Sequence, residues 1–132
     1  MPIIPSAAKE KFSVLIVDND DSFRQILKRT LRMALPTIAI GEAAGGIEAL
    51  QKVDTFSPDL IFMDIQLPGE NGLNLTKKIK ATHPNIVILI LSSYDKPAYR
   101  EAASRLGADH FLVKTSLNHM ELGELLKSYQ KV

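Results

Sequence analysis

Five short apolar runs at nearly even spacing constrain this chain more than any other feature: Val14 to Val17, Thr37 to Gly41, Leu60 to Met63, Ile86 to Leu91 and Phe111 to Val113. The segments between them follow a different period. After the first run, Phe23, Ile26, Leu27, Thr30, Leu31, Ala34 and Leu35 recur at i, i+3, i+4 and i+7, while Arg24, Lys28, Arg29 and Arg32 fall off that stripe, the pattern of an amphipathic helix. Asp21 or Ser22 is placed to cap it, and Pro36 follows its end. A second helix is predicted from Gly46 to Thr55 and a third from about Leu73 to Thr82, stopped by Pro84. Tyr99, Ala102, Ala103 and Leu106 mark the face of a fourth, with Gly107 as its stop, and Leu122, Leu125, Leu126 and Tyr129 mark a fifth. Strands alternating with helices imply a parallel sheet with right-handed crossovers, an α/β fold with helices on both faces. The runs are continuous rather than alternating, as strands buried on both faces should be.

The 132 residues suffice for one domain with a real core and leave no room for a second. Residues 1–11 read as a flexible leader and 12–132 as the domain. Met1 to Ala8 lacks the basic start and long apolar stretch of a signal peptide, and Ile86 to Leu91 is far shorter than a membrane span. A formal net charge of +1 argues against nucleic-acid binding by this domain. The chain has no cysteine, which excludes disulfides and thiolate chemistry and is compatible with the cytosol.

Two of the runs end in carboxylates. Leu60-Ile61-Phe62-Met63 stops at Asp64, and Val14-Leu15-Ile16-Val17 stops at Asp18-Asn19-Asp20-Asp21. A core strand has no use for such a charge, so each acid should emerge at the carboxyl edge of the sheet, where parallel α/β folds place their chemistry. Capping of the first helix needs only one of the four residues from 18 to 21. The same edge should carry Ser92 with Ser93 and Lys114. Carboxylates are hard ligands for Mg²⁺, and a hydroxyl and an ammonium beside them can hydrogen-bond and neutralise a phosphoryl group.

In this order along the chain, Val-Leu-Ile-Val-Asp-Asn-Asp, Pro-Asp-Leu-Ile-Phe-Met-Asp-Ile-Gln-Leu-Pro-Gly-Glu-Asn-Gly, Leu-Ser-Ser and Gly-Ala-Asp-His-Phe-Leu-Val-Lys resemble the receiver domain of two-component response regulators. In style they match receivers that precede a helix-turn-helix DNA-binding domain, and the resemblance runs from about Ser13 to Gln130. It implies a flavodoxin-like (CheY-like) sheet of strand order 2-1-3-4-5 and a signalling role rather than an enzyme's. Asp64 would accept a phosphoryl group from a histidine kinase or phosphotransfer protein. Asp18, Asn19, Asp64 and the backbone carbonyl of Gln66 would hold Mg²⁺, and Ser92 and Lys114 would bind the phosphoryl oxygens. Ser92 and Phe111 would form the switch, and Gln66 and Tyr94 sit where the family tunes hydrolysis, a bulky Tyr94 suggesting a long-lived phosphorylated state. The resemblance also implies a cytoplasmic protein, a homodimer face on the fourth helix, fifth strand and fifth helix, and an effector beyond this domain of the DNA-binding kind.

Asn19 departs from the usual pair of adjacent acids, costing the metal site one negative charge. His83, His110 and His119 have no ligand spacing and read as surface or helix-face residues. Two rival functions use the same residues: a pseudo-receiver that docks partners without phosphorylation, and a haloacid-dehalogenase-type phosphatase with Asp18 as nucleophile.

Overall fold

The computed structural model describes residues 11–130; the leader expected over 1–11 therefore lies outside the described residues except for Lys11. Strands β1 (Ser13–Val17), β2 (Ala39–Ala43), β3 (Leu60–Asp64), β4 (Val87–Ser92) and β5 (His110–Val113) alternate with helices α1 (Asp21–Ala34), α2 (Gly46–Thr55), α3 (Gly72–Thr82), α4 (Pro97–Arg105) and α5 (His119–Tyr129). The strands form one parallel sheet in the order β2-β1-β3-β4-β5, as the resemblance implies.

Alternation along each strand divides the core in two. Leu15, Val17, Ile61, Met63, Ile88 and Ile90 face α2, α3 and α4, where Val53, Leu75, Ile79 and Ala103 meet them. The intervening Val14, Ile16, Leu60, Phe62, Leu89 and Leu91 face α1 and α5, against Leu27, Leu31, Leu122 and Leu126. Both faces of the central strands are thus covered, which is why their runs are continuously apolar. Each fully buried aliphatic side chain contributes about 1.5–3 kcal/mol, and this core holds the strand ends in place.

The structure moves several boundaries. β2 spans Ala39–Ala43 rather than 37–41, because the Ile38 N–H bonds the Leu35 carbonyl and keeps the chain turning. An edge strand carrying the polar Glu42 has a weak apolar signature, and pairing with β1 (Ser13 opposite Ala39) sets its register. The cap of α1 is Asp20, whose Oδ1 accepts the Phe23 N–H at 3.2 Å, and not Asp21 or Ser22. β5 begins at the exposed His110, and Lys114 opens a 3₁₀ turn over Lys114–Ser116 instead of closing the strand.

Candidate functional site

Asp18 follows β1 directly, and its N–H donates to the Ala43 carbonyl of β2 at 3.0 Å. Its carboxylate is fully buried, at 0 % exposure. Oδ1 accepts the Asp20 N–H at 2.8 Å. Oδ2 has no hydrogen-bond partner, although the Lys114 ammonium stands 2.7 Å away; the two form an ion pair outside hydrogen-bonding geometry. Oδ2 is therefore balanced by the ammonium charge alone and accepts no hydrogen bond.

Asp64 ends β3 and is 8 % exposed. The Lys114 ammonium lies 3.6 Å from its Oδ2, so one lysine serves two carboxylates. Burial and, second, the Asp18 charge push the Asp64 carboxyl above its ordinary range; Lys114 and the Gln66 backbone N–H oppose them. The two acids and one base leave a local deficit of positive charge. Lys114 is itself half enclosed, its ammonium 4.5 Å from the centre of the Phe23 ring, a cation–π contact.

The chain beyond Asp64 turns back at once. The Gly72 N–H donates to the Ile65 carbonyl at 2.8 Å, and Gln66 and Asn71 bridge as antiparallel partners. A Cβ on Gly72 would lie 1.9 Å from the Asp64 carbonyl oxygen, so only glycine lets α3 start this close to the acid. Asn71 caps α3, accepting the Leu73 N–H at 2.7 Å. Asn19 and Gln66 line a common open recess beside the acids.

Ser92 ends β4 and is buried, yet its hydroxyl is turned to its own loop: Oγ donates to the Tyr94 carbonyl at 2.7 Å and accepts the Tyr94 N–H at 3.0 Å. Tyr94 is 51 % exposed, with the Lys96 ammonium 5.2 Å from its ring centre. Phe111 on β5 is half-buried under the Arg100 guanidinium, 4.8 Å away, and Arg100 also pairs with Asp95 at 2.6 Å.

Asp18 and Asp64 thus both lie against the Lys114 ammonium, with Ser92 on the adjoining strand end. The four come from separate strand ends of one parallel sheet. Residues 14–127 match the family of the response regulator receiver domain. The chain belongs to this family. It is a receiver domain of the two-component type. It is 38% identical over 101 residues to the chemotaxis protein CheY of Thermotoga maritima, covering 76% of this chain and 83% of that one. It is 30% identical over 122 residues to the nitrate/nitrite response regulator NarL of Escherichia coli K12, covering 91% of this chain and 54% of NarL. Against the transcriptional regulatory protein DegU of Brevibacillus brevis the identity is 30% over 106 residues, 80% of this chain and 45% of DegU. The chain therefore spans about half the length of these two regulators. The receiver domain of a DNA-binding response regulator from Colwellia psychrerythraea superposes with a TM-score of 0.84 at 26% identity, over 89% of this chain and 97% of that one. Receiver domains of this family bind Mg²⁺ at their acidic pocket and work with histidine kinases or phosphotransfer proteins.

Among the described residues, no three His, Cys, Asp or Glu side chains gather to hold a metal. The two acids present, with Asp18 Oδ2 free of hydrogen bonds, instead suit Mg²⁺, which takes one or two carboxylates and keeps water. Two contributions to the site were not legible in the sequence. Arg24, placed only off the stripe of α1, reaches the Asp18 carbonyl at 2.6 Å, and Gly72, the last residue of the third-strand motif, lies where an added Cβ would meet the Asp64 carbonyl.

Proposed function

We propose that Asp64 is the phosphoacceptor of this receiver. The observation that carries the reading is a buried carboxylate at the carboxyl edge of the sheet, with one ammonium shared between it and a second carboxylate. A carboxylate oxygen of Asp64 attacks phosphorus and forms an acyl-phosphate bond. The bond from phosphorus to the donor histidine nitrogen breaks, and that nitrogen keeps the electron pair. Asp18, Asn19, Asp64 and the Gln66 carbonyl are the residues that would hold Mg²⁺, which, when bound, neutralises charge on the transferring phosphoryl oxygens.

Lys114 already stands between the acids and can follow the new charge, because phosphorylation brings about −1.5 to −2 charges to this one position. Ser92 reaches a phosphoryl oxygen only by giving up its Tyr94 contacts, which ties the β4–α4 loop to the chemistry. Phe111, on the strand beside Ser92, is the aromatic whose rotamer reports the switch. Tyr94 and Gln66 tune the lifetime of the phosphoaspartate, Tyr94 by shielding it.

The donor is a histidine kinase or phosphotransfer protein in the cytoplasm. A groove of about 320 Å³ between α1 and α5, lined by Phe23, Ile26, Thr30, Lys114 and Leu117, opens beside Lys114 and would receive side chains of the donor. A second groove of about 320 Å³ includes Arg100, Phe111, Leu117, Leu122 and Leu125; this α4–β5–α5 face is the homodimer or output surface. The DNA-binding and transcriptional roles in the names of the Colwellia and DegU proteins point to a DNA-binding effector as the output. Asp18 as a phosphatase nucleophile has no support in the geometry, since its carboxylate is fully buried and held by Asp20.

The test is intact mass measurement after incubation with Mg²⁺ and acetyl phosphate. One added phosphate in the wild type and none in Asp64→Asn is the expected result. No adduct in either protein would refute phosphoacceptance and leave a docking module.

A further inference from the structure

Arg24 lies one turn into α1, 13 % exposed at its side chain, and spends its guanidinium on three acceptors from three places. Nη1 donates to the Asp18 main-chain carbonyl at 2.6 Å, Nε to Glu42 Oε1 on β2 at 3.0 Å, and Nη2 to Asp21 Oδ1 at 2.8 Å. Glu42 is held in turn by the Gln25 amide at 3.0 Å and the Lys28 ammonium at 2.8 Å, and Lys28, with Arg24 after it, keeps its carboxyl below the usual range against the opposing effect of burial. The Asp18 main chain is therefore tied to the edge strand twice, through its N–H to the Ala43 carbonyl and through its carbonyl, by way of Arg24, to Glu42.

We propose that Arg24, anchored by Glu42, is a positioning residue for the cation site: it sets the peptide from which Asp18 and Asn19 project. This rests on the reading of Asp18 as a Mg²⁺ ligand. The network suits the task electrostatically. Arg24 and Lys28 carry two positive charges, Glu42 and Asp21 two negative ones, so the cluster supplies a rigid planar fork without adding net positive charge beside a cation site in which Asn19 brings no charge. Glu42 lies on the sheet edge, outside every receiver motif, and acts on the site only through this guanidinium.

Charge and geometry predict opposite signs for one substitution. Arg24→Met removes a positive charge near the site, which by itself would tighten Mg²⁺ binding; loss of positioning weakens it, by about 10-fold, as outer partners of metal ligands commonly do. Lys28→Met takes the same charge from Glu42 without touching Asp18, and should leave the affinity within about two-fold. The measurement is the Mg²⁺ dissociation constant from amide NMR shifts of Asn19, Asp20 and Gln66, with thermal unfolding of the metal-free protein alongside. Arg24→Lys keeps the charge and the fold while losing the fork, so it carries the test if the Met variant does not fold; it too should weaken binding. Unchanged or tighter binding in the folded Arg24 variants, or equal weakening in Lys28→Met, overturns the positioning role. If Mg²⁺ shifts nothing in the wild type, the metal reading itself fails, a result distinct from the other two.

Discussion

Replacing Gly72 with alanine should damage fold and site together. The added Cβ would stand 1.9 Å from the Asp64 carbonyl oxygen, 2.8 Å from its carbon and 3.1 Å from Ile65 Cα, where real contacts hold off at about 3.0 Å or more. All three are backbone atoms, so no rotamer change relieves the clash, and α3 must part from the end of β3 by roughly 1 Å. Overpacking of this kind costs about 1–3 kcal/mol. Weakening the 2.8 Å bond from Gly72 N–H to the Ile65 carbonyl adds about 1 kcal/mol. Alanine's helix preference returns less than about 1 kcal/mol at a first-turn position. The net loss of about 2–3 kcal/mol corresponds to a fall in Tm of roughly 10 °C for a chain of this size. Displacing a nucleophile by ~1 Å can also cost about 100-fold in rate, so acyl-phosphate formation should slow sharply even well below Tm. Gly69→Ala is the control: Gly69 has φ +78° and nothing within 4 Å of an added Cβ, so it bears only left-handed strain of about 1–2 kcal/mol and should phosphorylate normally. Thermal melts by far-UV circular dichroism and phosphorylation rates by intact mass read both effects. A Gly72→Ala protein that melts within ~2 °C of wild type and phosphorylates at the wild-type rate would refute the close-packing argument.

Asp64→Asn should remove the phosphate adduct and stabilise the metal-free protein at neutral pH. Because burial and Asp18 raise the Asp64 carboxyl above its ordinary 3.8, the folded state is penalised as pH rises from the unfolded value through the folded one. The Tm advantage of the variant should therefore open above about pH 4 and then level off; an advantage that shrinks as pH rises would contradict this. Lys114→Met strips the only cation from between Asp18 and Asp64 among the described residues, and in chelator should cost about 3 kcal/mol, partly recovered in millimolar Mg²⁺; identical melts in chelator would be the opposing result. Tyr94→Ala should shorten the lifetime of the phosphorylated protein several-fold, measured by decay of the phosphate adduct, whereas an unchanged half-life would remove Tyr94 from the tuning role.

Much of the architecture was legible because each strand announces itself by unbroken burial and each helix by its stripe. The clearest failure was β2: on an edge strand one side needs no apolar cover, so residues 37–41 looked as good as Ala39–Ala43 until pairing with β1 decided the register. The cap of α1 was misplaced by one residue for a related reason, since several adjacent acids could each have served and only the turn geometry selects Asp20. Ser92 was recognisable by its place at a strand end, but not the closure of its hydroxyl on Tyr94.

The sequence by itself determined that this chain builds a parallel α/β sheet and brings Asp18, Asp64 and Lys114 to its carboxyl edge, because a charge terminating a run of core residues has no other stable destination. Only the tertiary structure decided that Lys114 is shared by the two acids, that Asp18 Oδ2 meets it without a hydrogen bond, that Arg24 joins the Asp18 carbonyl to Glu42, and that Gly72 must be bare. These are distances between segments far apart in the chain, set by how the helices pack on the sheet, and no local pattern of residues encodes them.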